Sequence, residues 1–249
     1  LIVKSVSSTV KHEPKRVERM NPKFVPPNSR AIFFDAVGTL ITPCPSAVDV
    51  YHEAGKRYGL ALDRATIAER FQKRFRQEEE HDRAADWRVD ESRERQRWWN
   101  IVQGVFAELH QPAQLFEDLW SHFARPEAWR LADGLDAVFT NALQSGLVLG
   151  VASNFDRRLH QILDGHCQFR GVTHRIISSE TGWRKPALRF FQRVIESAQC
   201  RPDEMIFVGD QPETDAEGAH LAGMRAILLM PEGSPPRSIP TIHQLTELL

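Results

Sequence analysis

Six side chains in this sequence are of types that could do chemistry together. Asp35 follows the apolar run Ala31 to Phe34 and opens the turn Ala36-Val37-Gly38-Thr39-Leu40. A carboxylate delivered at a strand end, with the amides of the following turn pointing inward, can attack an electrophilic phosphorus or carbon and leave a covalent ester. Ser153, with Asn154 beside it, and Lys185 supply hydroxyl, amide and ammonium donors. Such donors hold a group that carries negative charge while it is transferred. Asp210 and Asp215 supply hard oxygen ligands of the kind that suits a divalent cation, with magnesium expected. Each residue alone has a plainer reading. Aspartate often caps a turn, serine often caps a helix, and a single lysine usually sits on the surface.

The elements needed to position these residues are legible as short apolar runs. Ala31 to Phe34, Leu147 to Ala152, Arg175 to Ile177, Met205 to Val208 and Ala226 to Leu229 read as strands buried on both faces of a parallel sheet. Helical patterns cover Leu135 to Gln144, Pro186 to Ala198 and Thr214 to Ala222. Strand alternating with helix predicts an α/β fold, an open parallel sheet with helices on both sides. In such sheets ligands bind beyond the carboxyl ends of the strands, and Asp35, Ser153 and Asp210 each sit at such an end. Ser46 to Pro126 has helical periodicity and no convincing strand, too long for a simple connection, and reads as an inserted helical cap. Within it, Arg70, Lys73, Arg74, Glu78, Glu79 and Glu80 are expected to form a solvated helix surface. Trp98, Trp99, Val102 and Phe106 recur at helical spacing and are expected in the cap's own core.

The chain of 249 residues can bury a sizeable core, and its 32 Lys and Arg balance 33 Asp and Glu. That balance argues against a nucleic-acid-coating protein. Cys44, Cys167 and Cys200 lack the paired spacing of a zinc or redox motif and read as ordinary reduced thiols. No apolar run approaches the roughly 20 residues of a membrane span, and the expected location is the cytoplasm. Residues 1–29 are expected to be a weakly ordered, proline-bearing extension, of which 1–19, opening without methionine and preceding Met20, read as an artefact of start-site choice. The α/β core is expected over 30–45 and 127–249, with the cap over 46–126.

Taken in order, Asp35-Ala36-Val37-Gly38-Thr39-Leu40, Ser153-Asn154, Lys185-Pro186, and Gly209-Asp210 with Asp215 resemble the four motifs of the haloacid dehalogenase superfamily. Ser153-Asn154-Phe155-Asp156-Arg157-Arg158-Leu159 and the Trp98-Trp99 pair resemble the subgroup of the rhythmically expressed gene 2 product and haloacid dehalogenase-like hydrolase domain-containing protein 3. The resemblance implies a Rossmann-like three-layer core closed over by the cap. It also implies a catalytic Asp35 nucleophile assisted by Ser153 and Lys185, with Asn154 and Thr39 meeting substrate. Magnesium would be held by Asp35, the main-chain carbonyl of Val37, Asp210 and, directly or through water, Asp215.

Two departures bear on the reaction. Ala187 stands where many relatives have an acidic residue. Val37 stands where related phosphatases carry a second aspartate that protonates the leaving alkoxide and later activates water. A general acid or base contributes roughly 10² to 10⁴ in rate, or about 3 to 5 kcal/mol. Without it, aryl and acyl phosphates should suffer less than alkyl phosphates, unless a cap residue such as His52, Glu53 or His81 replaces the acid. The expectation is a magnesium-dependent phosphatase acting on a small phosphorylated metabolite through an aspartyl phosphate. The alternatives are a metal-independent 2-haloacid dehalogenase and a phosphate-binding or interaction protein without turnover. The sequence does not fix an oligomeric state.

Overall fold

The computed structural model describes residues 20–235 and 237–249. In chain order the strands and helices are β1 (Ala31–Phe34), β2 (Ile41–Pro43), α1 (Ala47–Arg57), α2 (Arg64–Ala84), α3 (Glu91–Val105), α4 (Ala113–His122), β3 (Trp129–Leu131), α5 (Leu135–Gln144) and β4 (Val148–Ser153). They continue as α6 (Arg158–Asp164), β5 (His174–Ile177), α7 (Ser178–Thr181), α8 (Leu188–Ala198), β6 (Met205–Gly209), α9 (Gly218–Leu221), β7 (Arg225–Leu229) and β8 (Thr241–Ile242).

Six strands form one sheet in the order β5-β4-β1-β6-β7-β8, and every pairing within it is parallel. Side chains alternate across a strand, and the two resulting faces are both apolar. Ile32, Phe34, Leu149, Val151, Ile206 and Val208 pack against Val138 and Phe139 of α5 and Leu159 and Ile162 of α6. Ala31, Phe33, Ala152, Met205 and Phe207 face Phe190, Phe191 and Val194 of α8 and Ala219 of α9. This is the three-layer core, and it explains why the strands read as continuous apolar runs. Phe34 lies opposite both Val151 and Val208, so β1, β4 and β6 end at one level and deliver their following residues to the same edge.

Helices α1 to α4 form the insertion. Ser46, Asp63 and Asp90 cap the first three by accepting from Asp49, Thr66 and Arg93 amides. Tyr51, Val102, Val105, Phe106, Phe116 and Leu119 close a separate core of their own. An antiparallel ribbon, with Ile41 opposite Leu131 and Pro43 opposite Trp129, gathers the two ends of the insertion.

Three expectations change. Residues 1–19 lie outside the described residues, but 20–29 are packed rather than weakly ordered. Met20, Phe24 and Val25 are buried in the first apolar cluster, and Asn21 is tied to the carbonyls of Leu248 at 2.8 Å and Glu247 at 3.1 Å. The helix expected from Pro186 begins at Leu188. The pattern from Thr214 resolves into a wide π-helical turn, Pro212–Glu217, running into α9. The three cysteines are free thiols. Among the described residues no helix is long and apolar enough to cross a membrane.

Candidate active site

Asp35 leaves β1 with its amide bound to the Val208 carbonyl at 2.8 Å. The chain then doubles back, Leu40 and Ile41 both donating to the Ala36 carbonyl and Gly38 to that of Ile41. Among the described residues these bonds leave the Val37 carbonyl without a donor. Gly38 has φ of +93°, and a Cβ there would lie 2.6 Å from an Asp210 carboxylate oxygen, so both the turn and the close approach require glycine.

Around Asp35 the expected residues converge. Ser153 Oγ donates to Asp35 Oδ1 at 2.8 Å. Lys185 Nζ donates to the same oxygen at 2.5 Å and to Asp215 Oδ1 at 2.6 Å. Oδ1 is thus doubly held, while Oδ2 has no protein donor among the described residues. Asp215 accepts on its other oxygen from the Gln211 amide at 3.0 Å, so both its oxygens are engaged. Asp210 accepts from Gln211 Nε2 at 2.7 Å and, at a long 3.4 Å, from Thr39 Oγ1.

Of the two residues expected to meet substrate, Asn154 lines the cavity between core and insertion and Thr39 does not. Asn154 donates to the Lys185 carbonyl at 3.0 Å and accepts the Lys185 amide at 2.7 Å. It fixes the backbone that carries the ammonium. Thr39 is buried with its hydroxyl towards Asp210.

Asp35, Asp210 and Asp215 each present an oxygen within 4.8 Å of the other two. Three carboxylates meet one ammonium, which leaves two negative charges in excess in a buried place if all ionise. Burial and Asp35 push the pKa of Asp210 up. Burial raises Asp215 to about 7, the nearby Asp35 adding to the shift and Lys185 opposing it. Burial works against the charge on Lys185, but Asp215 and Asp35 outweigh it and its pKa is raised. A hard divalent cation on oxygen ligands would neutralise this excess, so the residues present fit magnesium.

A cavity of about 540 Å³ opens above these groups, between core and insertion. Val37 lines it, its side chain packed on the first apolar cluster. The cap contributes Phe71, Phe75, Glu79, Glu94, Arg97 and Trp98. None of His52, Glu53 and His81, expected as replacement acids, lines the cavity. His52 Nδ1 lies 2.7 Å from the Leu62 carbonyl, Glu53 binds Lys56 at 3.0 Å, and His81 is exposed.

Both tryptophans pack against the cap core, as expected, and one also reaches the cavity. Trp99 packs edge-on against Phe116 of the cap core, and Trp98 lines the cavity. The charged stretch expected to be solvated divides. Glu78 accepts from Arg93 at 2.7 Å and Asn100 at 2.9 Å, and Glu79 faces the cavity. Sequence reasoning missed a buried charge cluster at the junction. Asp82 pairs with Arg97, and Arg184, next to Lys185, pairs with Glu94. The only local signal was the adjacency of Arg184 to Lys185.

Comparison with known proteins gives the family and the fold. A family model described as haloacid dehalogenase-like hydrolase matches residues 29–223. The chain is 27% identical over 229 residues to haloacid dehalogenase-like hydrolase domain-containing protein 3 of Bos taurus, covering 88% of this chain and 90% of that one. It is 25% identical to the rhythmically expressed gene 2 protein of Drosophila melanogaster, covering 80% and 82%. Among solved structures, the magnesium-bound HAD-hydrolase YfnB of Bacillus subtilis superposes with a TM-score of 0.71 at 18% identity, over 88% of this chain and 96% of that one. L-2-haloacid dehalogenases also share the fold. With the motifs gathered at one sheet edge and the family model spanning most of its length, this chain belongs to the haloacid dehalogenase-like hydrolases.

Proposed function

We propose that the protein is a magnesium-dependent phosphatase acting on a small phosphorylated metabolite. The observation that carries this reading is the meeting of three carboxylates around a single lysine, a donor set with excess negative charge. Asp35, Asp210 and the Val37 carbonyl would hold the ion, with Asp215 already engaged by Lys185 and Gln211. When bound, magnesium supplies neutralisation of the charge on the transferring phosphoryl group. The magnesium bound by the similarly folded YfnB supports the same assignment.

The chain's own groups supply the rest. Ser153 and Lys185 fix Asp35 through Oδ1 and keep its carboxylate aimed. Attack on phosphorus forms the Asp35 O–P bond and breaks the P–O bond to the leaving group, which departs as an anion and takes its proton from water. A water molecule then attacks the aspartyl phosphate, restores the carboxylate and releases inorganic phosphate. Lys185 offers positive charge to the phosphoryl oxygens, and Asn154 keeps that lysine in register.

Release of product from p-nitrophenyl phosphate and a panel of phosphorylated metabolites, with magnesium or chelator, tests the reading. Magnesium-dependent turnover is expected, and Asp35→Asn should abolish it. Turnover unchanged in that variant removes Asp35 as nucleophile.

One feature favours a second reading, dehalogenation of a 2-haloacid. Val37 leaves Asp35 without a second carboxylate while Ser153 and Lys185 hold it. Chloride release from 2-chloropropionate in chelator would establish that chemistry. Phosphate affinity without product in either assay would identify a binding protein.

A further inference from the structure

The cavity above Asp35 is much larger than a phosphoryl group, and its two halves differ in chemistry. At about 540 Å³ it falls in the range of pockets that take a whole small molecule. Its uncharged hydrogen-bonding side chains of serine, threonine, asparagine and glutamine type all come from the core: Ser153, Asn154, Gln211 and Thr214. The insertion contributes none of these and presents rings instead, with Phe71, Phe75, Trp98 and Trp120 half-buried along the wall. Most of that wall is ring surface, with Tyr51, Glu79, Glu94 and Arg97 its hydroxyl-bearing or charged side chains, so it offers a sugar or polyol few partners for its hydroxyls.

The charges around the ring-lined part of the cavity are mostly committed. Arg184 pairs with Glu94, Arg97 with Asp82, and Arg158 with Asp156 at 2.7 Å while lying 3.4 Å from the Trp120 ring centre. Glu79 has no hydrogen-bond partner among the described residues, so a second anionic group on the substrate would meet a carboxylate. One Arg97 nitrogen is also without a partner, and with Glu79 on the same wall it suits a neutral acceptor such as a carbonyl or ring oxygen.

Val37 adds an independent constraint. With no proton donor at that position, the leaving group must depart as an anion. A phenol-like oxygen has a pKa of about 10, whereas water, the reference for an unassisted alkoxide, has about 15.7.

We propose that the substrate is an aryl phosphate, an ester whose leaving group is a neutral aromatic ring system seated among Phe75, Trp98 and Trp120. The proposal rests on the phosphatase reading above and names its substrate class. The P–O bond to the ring oxygen breaks, the aryloxide leaves and is protonated by water, and Asp35 carries the phosphoryl group until water releases it.

Calorimetric titration of the magnesium-loaded protein with three non-hydrolysable phosphonates separates the two ideas. Naphthylmethylphosphonate should bind at least tenfold tighter than methylphosphonate and at least threefold tighter than octylphosphonate. Trp98→Ala should bring the first ratio below threefold, and Phe75→Ala should reduce it as well if the Trp98 variant does not fold. If methylphosphonate binds but the naphthyl compound gains nothing, the aryl assignment is overturned and the phosphatase reading stands. Octylphosphonate binding as tightly as the naphthyl compound would overturn it too, leaving a merely apolar pocket. If methylphosphonate does not bind at all, the phosphatase reading falls and the aryl assignment with it.

Discussion

Val37 brings only methyl groups to the cavity wall, with the first apolar cluster behind them, and has no proton to give or take. Val37→Asp should therefore restore general acid and base chemistry. It is expected to raise kcat/KM for alkyl phosphates by about 10² to 10⁴ and to raise it much less for p-nitrophenyl phosphate. Equal gains on both would remove this account of the valine. The variant keeps the main-chain carbonyl, so magnesium dependence should persist. Asp35, Ser153 and Asp210 were legible because each follows a continuous apolar run whose end faces a sheet edge, a local property of sequence. Lys185 was legible only through its motif. The targets of Asn154 and Thr39 were not legible. Asn154 meets the backbone of a residue 31 positions away, and Thr39 lies 171 positions from the carboxylate it faces. Side-chain type reveals that each can hydrogen-bond, but not with what.

Between elements, the pairing of Glu94 on α3 with Arg184 before α8 links the insertion to the core, with both side chains nearly buried. Removing one partner of a buried ion pair leaves an uncompensated charge, at a cost of about 3 to 5 kcal/mol. Arg184 retains Asp82 at 3.5 Å. Glu94→Ala should therefore fall at the lower end, near 3 kcal/mol, by urea denaturation, and Glu94→Gln should lose less because an acceptor remains. A loss below about 1 kcal/mol would mean that the pair behaves as a surface bridge. The strands of the sheet could be read in advance because burial on both faces enforces unbroken apolar runs. The β2–β3 ribbon, three residues on each side, and the two-residue β8 could not, because such short pairings carry no periodicity. The insertion was visible as helices, but not which charges turn inward. Glu78 and Glu79 look like Glu80 in sequence, and only packing against α3 and the core separates them.

On the scale of the whole molecule, folding gathers three acids of like charge from distant parts of the chain, and stability should record it. Asp215 is raised from 3.8 to about 7 by burial, with Asp35 adding to the shift against the pull of Lys185. Asp210 is raised by burial and Asp35. Between about pH 4 and pH 7 the unfolded chain has released the Asp215 proton while the folded chain still holds it. The folded state then binds more protons, so the stability of the metal-free protein from these groups falls as pH rises through that window. Lys185, raised from 10.5, is protonated in both states there and adds no slope. A divalent cation binds the ionised, folded form alone and competes with protons for it, so its stabilisation grows as pH rises. Thermal unfolding at about pH 5 and pH 7.5, with magnesium or chelator, should show a larger magnesium-induced rise in Tm at the higher pH. Asp210→Asn should remove most of that rise. An equal rise at both pH values, or one that survives in Asp210→Asn, would place the ion somewhere other than these carboxylates.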